Sequence, residues 1–399
     1  MIHSSYYKPR VFPVFGEGDS AEIDRLQELN ASNTLNRTRL MEIGRPGTMD
    51  WKKQTPTVNL TMRQLEYGSI EFWQKLANKG ESVNQVSWTD FTTAAVDIAG
   101  YKTDDNGTFL GTIYYPSFRL SGLGLNIGDP NAMMERSFTL VGEDEIILQN
   151  NNKYLIGKEV TMTAGANQTI TVSDPVPVAD PDNSGQFIFK VVRIRAGVGT
   201  ELVPGTEWSC NGSAITINGT SANTDVIKYW YSGTSYITGA TIFSNNDSDL
   251  HGVSANQCSI YLQSSSYVYR LQSVAVDTTF DRQDVKEIGN DAVVARGVRQ
   301  VTNRITLGRI LEAWTIEEIL RGVAGQSFGK IDPKEFTSGL NLIIKIYSDT
   351  NKSTFKMGYK FLELAPTSID DSAPLNDYIQ RNTVLEGETA FVTTNNAIL

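Results

Sequence analysis

The sequence predicts a mainly β protein with an α+β arrangement, in which two related units are separated by a smaller β-sandwich. Three observations predict this fold class. Short runs that alternate apolar and polar residues dominate the chain, as in TVNLTM at 57–62. The stretch at 25–44 recurs without a gap at 270–289. Between the two copies lie short strand-like runs separated by Gly, Pro, Asn and Asp, which favour turns.

The repeat is clearest when residues 25–44, RLQELNASNTLNRTRLMEIG, are set above residues 270–289, RLQSVAVDTTFDRQDVKEIG. Eight of the twenty positions are identical, far more than chance would give. Downstream, TVNLTM corresponds to TNRITL at 302–307, and a Gly-Glu pair recurs near the end of each copy. The sequence therefore predicts one unit at 1–150 and a second copy of it at 237–399.

Each unit is predicted to contain one helix. After a one-residue shift, Ser69-Ile70-Glu71 matches Thr315-Ile316-Glu317. A Ser or Thr hydroxyl at such a position can cap a helix by accepting a hydrogen bond from a free backbone N–H. Each helical run ends at a basic residue followed by glycine, Lys79-Gly80 and Arg321-Gly322. A helix packed on a sheet in each unit gives the predicted α+β layers.

Residues 151–236 have no counterpart in the repeat. Runs such as TITVS, FIFKVVRI and VIKYWYS predict a small antiparallel sandwich of immunoglobulin-like type. The alternative is one long elaborate loop, although loops of this length are rare. Because the insert lies on the connection between the two units, we predict that it projects away from both of them. We also predict that it can be removed without disturbing either unit.

Charge and composition argue against several classes of function. The 399-residue chain has a formal charge of −10, whereas a protein that grips nucleic acid needs clustered Lys and Arg. The units at 1–150 (14 basic, 19 acidic residues) and 237–399 (15 basic, 19 acidic) carry most of this charge. No apolar run is long enough to span a membrane, and we identify no secretory signal. We interpret the two cysteines, Cys210 and Cys258, as free thiols in a reducing compartment.

The sequence offers no pattern typical of a catalytic, cofactor or metal site. The two histidines, His3 and His251, lack acidic or cysteine neighbours at ligand spacing. GLGLNIG at 122–128 has the wrong spacing for a nucleotide-binding loop. DPDNSG at 180–185 starts like a calcium loop, but its twelfth position would be Val191. We therefore predict that the protein is not an enzyme and needs no cofactor.

A long charged connection occurs in both copies. Two residues could join strands this apolar, yet DRQDVKEIGN (281–290) and NRTRLMEIGR (36–45) stand in that place. Because both connections keep Arg and Glu-Ile-Gly while their flanks differ, we predict that they dock onto another molecule. The alternative is a solvated surface loop. The candidate docking residues are Arg37, Glu42, Ile43, Gly44, Arg282, Asp284, Lys286, Glu287, Ile288, Gly289 and Arg296.

A strand that leads into FDRQDVKEIGN, then Arg296, a threonine-rich strand and the run WTIEEILRG together resemble bacteriophage tail tube proteins. FTLVGEDE at 138–145 is similar to the strands of the same family. The resemblance covers most of both units. It implies tube domains, each a β-sandwich or half-barrel with one flanking helix, that form six-fold rings around a channel. It also implies that the long charged loop contacts the adjacent ring.

With two tube domains in each chain, a six-domain ring would contain three chains, a homotrimer. The acidic units would repel phosphates and let the genome pass without specific binding. The resemblance further implies a virion protein that is made in the host cytoplasm and does not bind membranes. Its implied partners are copies of itself, the tail terminator, baseplate or tip and tape-measure proteins, and viral DNA in transit.

Two other functions fit parts of the sequence. A surface adhesin or carbohydrate-binding protein could use aromatic residues of the run YWYS at 229–232 to stack on sugars. The tube of a contractile injection system would share the fold of a tail tube. Outward inserts would crowd the space of a surrounding sheath, so a non-contractile tail is favoured.

Overall fold

Alternation of apolar and polar residues gives 26 strands and two short α-helices in the described part of this computed structural model. The prediction of a mainly β fold is therefore confirmed. The structure describes residues 6–16, 20–35, 37–40, 50–53, 55–104, 109–129, 131–149, 154–172, 188–211, 213–234, 252–263, 266–268, 271–286, 293–311, 315–322, 332–373 and 378–399.

The described residues of the first half form eleven strands and helix α1. They are β1 (Tyr6–Pro13), β2 (Ala21–Glu22), β3 (Leu26–Thr34), β4 (Arg37–Leu40), β5 (Asp50–Lys53), β6 (Thr57–Leu65), α1 (Glu71–Leu76), β7 (Gln85–Ser87), β8 (Val96–Thr103), β9 (Phe109–Ile127), β10 (Glu135–Gly142) and β11 (Ile146–Gln149). In β6, Val58, Leu60 and Met62 are buried while Asn59 and Thr61 are exposed. The half-buried strand predicted from TVNLTM is therefore confirmed.

The middle of the chain forms a separate sandwich of two antiparallel sheets. Its strands are β12 (Tyr154–Thr161), β13 (Gly165–Thr171), β14 (Ile188–Arg195), β15 (Val198–Glu201), β16 (Trp208–Asn211), β17 (Ala214–Ser221) and β18 (Val226–Gly233). One sheet has the order β12-β18-β14-β15 and the other β13-β17-β16. An apolar cluster fills the space between them. The counts of four and three strands are those of a constant-type immunoglobulin sandwich, but the strand order differs: the described strands pair in the chain order 1-7-3-4 and 2-6-5 instead of 1-2-5-4 and 3-6-7.

The second half of the chain contains eight strands and helix α2. They are β19 (Cys258–Leu262), β20 (Ser266–Tyr267), β21 (Leu271–Lys286), β22 (Val293–Ile310), α2 (Thr315–Leu320), β23 (Leu340–Tyr347), β24 (Phe355–Ser372), β25 (Gln380–Gly387) and β26 (Thr389–Thr393).

The two halves share three connected sheets. The large sheet has the order β3-β6-β10-β9-β21-β22-β25-β24. A second sheet has the order β2-β1-β8-β9-β11, and a third has the order β7-β26-β24-β23-β19-β20. Because the long strands β9 and β24 each belong to two sheets, each half is a pair of sheets that meet along one strand.

The strand pairings of the first half recur in the second half. The order β3-β6-β10-β9 corresponds to β21-β22-β25-β24, and β1-β8-β9-β11 corresponds to β19-β23-β24-β26. Strand β3 begins at Leu26 and β21 at Leu271, two residues that the repeat aligns. Strands β9 and β24 begin at Phe109 and Phe355. Descent from a duplicated unit stays a prediction, which this recurrence supports.

Helices α1 and α2 lie where the sequence predicts one helix in each unit, but their correspondence differs from the predicted one. The match of Ser69 with Thr315 would place Leu76, the last residue of α1, opposite Gly322, whereas α2 ends at Leu320. The N-cap residue of α1, Ile70, makes no side-chain capping bond, but the predicted capping residue Ser69 accepts a hydrogen bond from the Glu71 backbone N–H at 3.3 Å. Helices this short are not stable alone, so burial of side chains such as Trp73 fixes their position more than capping does.

The sandwich docks on the first half through a second apolar cluster. Residues of the β1-β8-β9-β11 sheet pack against the β12-β18-β14-β15 sheet of the sandwich. At the edge of this contact the Lys190 ammonium donates to the Asp97 carboxylate at 2.8 Å, and both side chains are buried. The Tyr101 hydroxyl donates to the Leu155 carbonyl at 2.6 Å. The sandwich is therefore joined to the first half by a buried interface.

The two cysteines lie in different environments, and both are free thiols. Burial raises the pKa of both thiols, that of Cys258 to about 12, and the half-buried Cys210 is the more accessible of the two. Because the thiolate is the nucleophile, we expect a maleimide at neutral pH to label Cys210 in the folded protein and to leave Cys258 unmodified. Mass spectrometry before and after unfolding in urea measures this. Rapid labelling of folded Cys210→Ser would contradict the expectation.

Candidate functional site

The chain carries two β-ribbon arms at corresponding positions in its halves. In the second half, β21 pairs with β9 only up to Thr279, and the hairpin of β21 and β22 continues beyond that point. In the first half, β4 and β5 form a separate two-stranded ribbon. The pair Arg37–Lys53 in this ribbon corresponds, in the register of the repeat, to the pair Arg282–Val298. The charged connections predicted as loops therefore begin as paired strands.

The structure describes five of the predicted docking residues. Arg37 lies in β4, Arg282, Asp284 and Lys286 lie in β21, and Arg296 lies in β22. The other predicted positions, Glu42, Ile43, Gly44, Glu287, Ile288 and Gly289, lie outside the described residues.

Arg282 lies at the base of the second arm and contacts the first half of the chain. Its guanidinium donates to the carbonyls of Leu120 at 2.5 Å, Phe91 at 2.8 Å and Thr92 at 3.3 Å. Hydrogen bonds from a charged donor are among the stronger ones in proteins. Arg282 therefore fixes the arm of the second half to the body of the first.

The charge of Arg296 is balanced by carboxylates within the chain. Its guanidinium contacts Asp284 on the opposite strand at 2.9 Å and Glu143 of the first half at 3.5 Å.

Burial, together with the neighbouring Arg119 and Arg296, lowers the pKa of Arg282. The arm base is thus a concentration of positive charge, held by carbonyls and carboxylates of both halves.

Strand β21 joins the halves by continuing the sheet of the first half. Its ladder with β9 runs from Val274 opposite Ile127 to Thr279 opposite Gly122. The Trp88 indole donates to the Thr278 hydroxyl at 3.2 Å across this junction. The core-facing residues of β21 are at most 2% exposed; they are Val274, Val276, Thr278 and Phe280.

The large sheet ends in two open edges. On one side, β3 pairs with β6 and with no other described strand; on the other, residues 365–372 of β24 pair only with β25 among the described strands. Leu35, just beyond β3, is 60% exposed, whereas Phe280, its counterpart in the repeat, is 2% exposed. The first half therefore covers one face of β21, whereas the corresponding face of β3 is exposed.

The solvent face of the large sheet carries small and charged side chains. One cross-strand row can be followed through all eight strands by their pairing, and its acidic members outnumber its basic ones. In order, the row is Glu28, Arg63, Ser137, Gly124, Asp277, Arg304, Glu386 and Ala365. The row has a net charge of −1, and ion pairs join Arg63 to Glu28 and Arg304 to Glu386, so the row offers no basic groove for nucleic acid.

A buried polar centre between the halves escaped the sequence analysis. The Glu66 carboxylate accepts from Arg136 at 3.2 Å and from the Tyr359 hydroxyl of the second half at 2.5 Å. Every second residue of β6 is buried, and Gln64 and Glu66 follow the same alternation. Both of their side chains are fully enclosed. Polar residues on the apolar face of an alternating strand were the signal that could have revealed this centre.

In the described part of the chain, no group of three or more His, Cys, Asp or Glu residues could hold a metal ion. None of the described helices is long and apolar enough to cross a membrane. Comparison with protein-family models and with curated proteins gives no match.

Proposed function

We propose that this chain is the subunit of a bacteriophage tail tube, polymerising into stacked rings that form a channel for the genome. One observation carries the proposal. The first half joins the second through the β9–β21 ladder, and the outer edges, β3 and β24, occupy the positions that would form the same ladder between chains. A head-to-tail contact of this kind generates a closed ring when its rotation closes.

The register of the contact between chains follows from the internal one, in which Asp277 of β21 lies opposite Gly124 of β9. The repeat aligns Asp277 with Ser32 of β3. Gly124 corresponds to Asp370 of β24, because the ladders of β9 and β24 have their irregularity at matching positions. Ser32 of one chain is thereby placed opposite Asp370 of the next.

Both of these residues are exposed at the edges of the sheet. Ring closure would remove the two open edges, which otherwise invite uncontrolled pairing with other chains. The same contact, repeated around the ring, would alternate with the internal β9–β21 ladder.

In this proposal the solvent face of the large sheet lines the channel. Its row of small and charged side chains, including Glu28, Asp277 and Glu386, supports passage of DNA without a grip on it. The described parts of the arms extend beyond the last pairing of the large sheet, and in this proposal the arms contact the adjacent ring. The terminator, baseplate or tip and tape-measure proteins would be partners in the virion.

Electron microscopy of the purified protein, combined with cysteine cross-linking, tests the proposal. We expect rings of three chains with approximate six-fold symmetry. In a Cys210→Ser background, Ser32→Cys with Asp370→Cys should form covalent trimers on oxidation. Moving the second cysteine to Ser372 gives a diagonal pair on the same face, about 7–8 Å away, which is too distant to cross-link efficiently. Rings of six chains, or a protein that stays monomeric and does not cross-link, would reject the proposal.

A further inference from the structure

Leu35 and Arg37 lie at the base of the first arm, and both side chains are exposed. Their counterparts in the repeat, Phe280 and Arg282, are covered by the first half of the same chain. The first arm therefore presents an apolar and a cationic group in the arrangement that the second arm uses for an internal contact. A group that is not among the described residues of the same chain would have to cover Leu35 and Arg37.

The residues that cover Phe280 and Arg282 indicate which residues would cover Leu35 and Arg37. The Phe280 ring packs edge-on against Phe91, with centroids 6.0 Å apart. Arg282 donates to the carbonyls of Phe91, Thr92 and Leu120. The first two of these residues lie in a short 3-10 helix at Trp88–Thr92, and the third lies in β9.

Each of these groups has a counterpart in the second half. Aligning the first residues of two 3-10 helices, Trp88 of Trp88–Thr92 and Pro333 of Pro333–Glu335, sets Phe336 and Thr337 opposite Phe91 and Thr92. The residue type is the same at both positions. Phe336 is half-buried and Thr337 is exposed, so they are accessible at the surface of the chain.

The counterpart of the third carbonyl follows from the ladder. Leu120 of β9 lies opposite Leu140 of β10, and Pro366 of β24 lies opposite Leu385 of β25. Both ladders have an irregularity next to this pair. Pro366 thus occupies the position of Leu120, and a proline carbonyl accepts a hydrogen bond as any other does.

We infer that Leu35 and Arg37 form a clamp that holds a second copy of this chain, an inference that rests on the proposed head-to-tail assembly. Arg37 donates to the carbonyls of Phe336, Thr337 and Pro366 of the second copy, and Leu35 packs on its Phe336 ring.

A groove of about 420 Å³ lies beside the earlier part of β3. Its lining includes Leu26, Leu29 and Tyr115, which supply further apolar surface for the same contact.

One feature of the internal junction is missing between chains. Trp88, which donates to Thr278, corresponds to Pro333, which has no indole N–H. The contact between chains therefore lacks this hydrogen bond. The clamp therefore contributes a larger share of the binding free energy between chains than Phe280 and Arg282 contribute at the internal junction. Single substitutions in the clamp should weaken the contact most strongly.

Paired arginine variants test the clamp. Arg37→Ala should leave the melting temperature of the isolated subunit unchanged and raise the subunit concentration needed for ring assembly by about tenfold or more, the effect of roughly 1.4 kcal/mol. Arg282→Ala should instead lower the melting temperature of the subunit. The control is Arg304→Ala, which removes an exposed arginine from the solvent face of the sheet and should change neither. Sedimentation velocity and thermal melts provide the measurements.

The apolar half of the clamp has its own test. Leu35→Ala and Phe336→Ala should each weaken assembly, and the double variant should weaken it by less than the sum of the two single effects, as for residues in contact. If Arg37→Ala and Leu35→Ala assemble at the wild-type concentration while Ser32→Cys/Asp370→Cys still gives trimers, the clamp is overturned and the proposed function stands. If the wild-type chain itself does not assemble, both are overturned.

Discussion

Replacing residues 154–233 with a short Gly/Ser linker should prevent the first half of the chain from folding stably. The docking interface buries apolar side chains on both sides, with Phe12, Tyr101 and Phe109 of the first half in one cluster with Val192 and Trp230 of the sandwich. Burial of one such side chain contributes about 1.5–3 kcal/mol. Exposing the whole cluster would therefore remove a large part of the usual stability of a domain, about 5–15 kcal/mol.

The same deletion would leave a buried charge without its partner. Asp97 is fully enclosed, and Lys190 of the sandwich supplies its cation. Removing one member of a buried ion pair typically costs about 3–5 kcal/mol. Soluble yield and a thermal melt followed by circular dichroism measure the outcome. The control is Val198→Ser, which alters a side chain of the sandwich that is 66% exposed and should leave both unchanged.

A soluble deletion variant with the wild-type melting temperature would show that the sandwich is a removable appendage, as the sequence alone predicts. The sequence-based prediction rested on the position of the insert between two matching units. It could not include the docking interface, because the contacts join residues far apart in the chain, such as Phe12 and Trp230. Neither residue lies in a pattern that distinguishes an interface from an ordinary strand core.

The local features of the fold were predictable for a physical reason. Side chains alternate between the two faces of a strand, so runs such as TVNLTM show directly which residues are buried. The matching strand order of the two halves follows the repeat seen in the sequence. The sharing of β9 and β24 between two sheets was not predictable, because a run of 18 or 19 residues with mixed burial gives no sign of where one sheet ends.

The arms show how a correct motif can receive an incomplete interpretation. Arg282, Asp284 and Arg296 were predicted as contacts to another molecule, and the structure places all three in contacts within the chain. Charged residues at the base of a hairpin look the same in sequence whether their partners are internal or external. Arg37, the exposed counterpart of Arg282, distinguishes the two copies, and this difference required the three-dimensional positions.

The second large effect is expected at the buried polar centre, where Glu66→Ala should lower the free energy of unfolding by roughly 3–5 kcal/mol. The Arg136 side chain is fully enclosed, and Glu66 supplies its carboxylate partner. Burial, followed by the charge of Glu66, raises the pKa of Tyr359, so its hydroxyl stays protonated and donates to the carboxylate. Without Glu66, a buried cation and a buried hydroxyl would both lose their carboxylate partner, and Arg136 would keep its hydrogen bond to Gln64.

Urea unfolding followed by tryptophan fluorescence suits this test, because Trp73 lies beside the centre, with its ring centroid 5.8 Å from that of Tyr359. Since the centre joins the two halves, we also expect Glu66→Ala to separate their unfolding into two transitions. Glu66→Gln keeps the shape and one acceptor and should have a smaller effect. The matched control is Glu71→Ala, which removes an exposed carboxylate from α1. If Glu66→Ala unfolds within about 0.5 kcal/mol of this control, the range of ordinary surface substitutions, the centre does not hold the halves together.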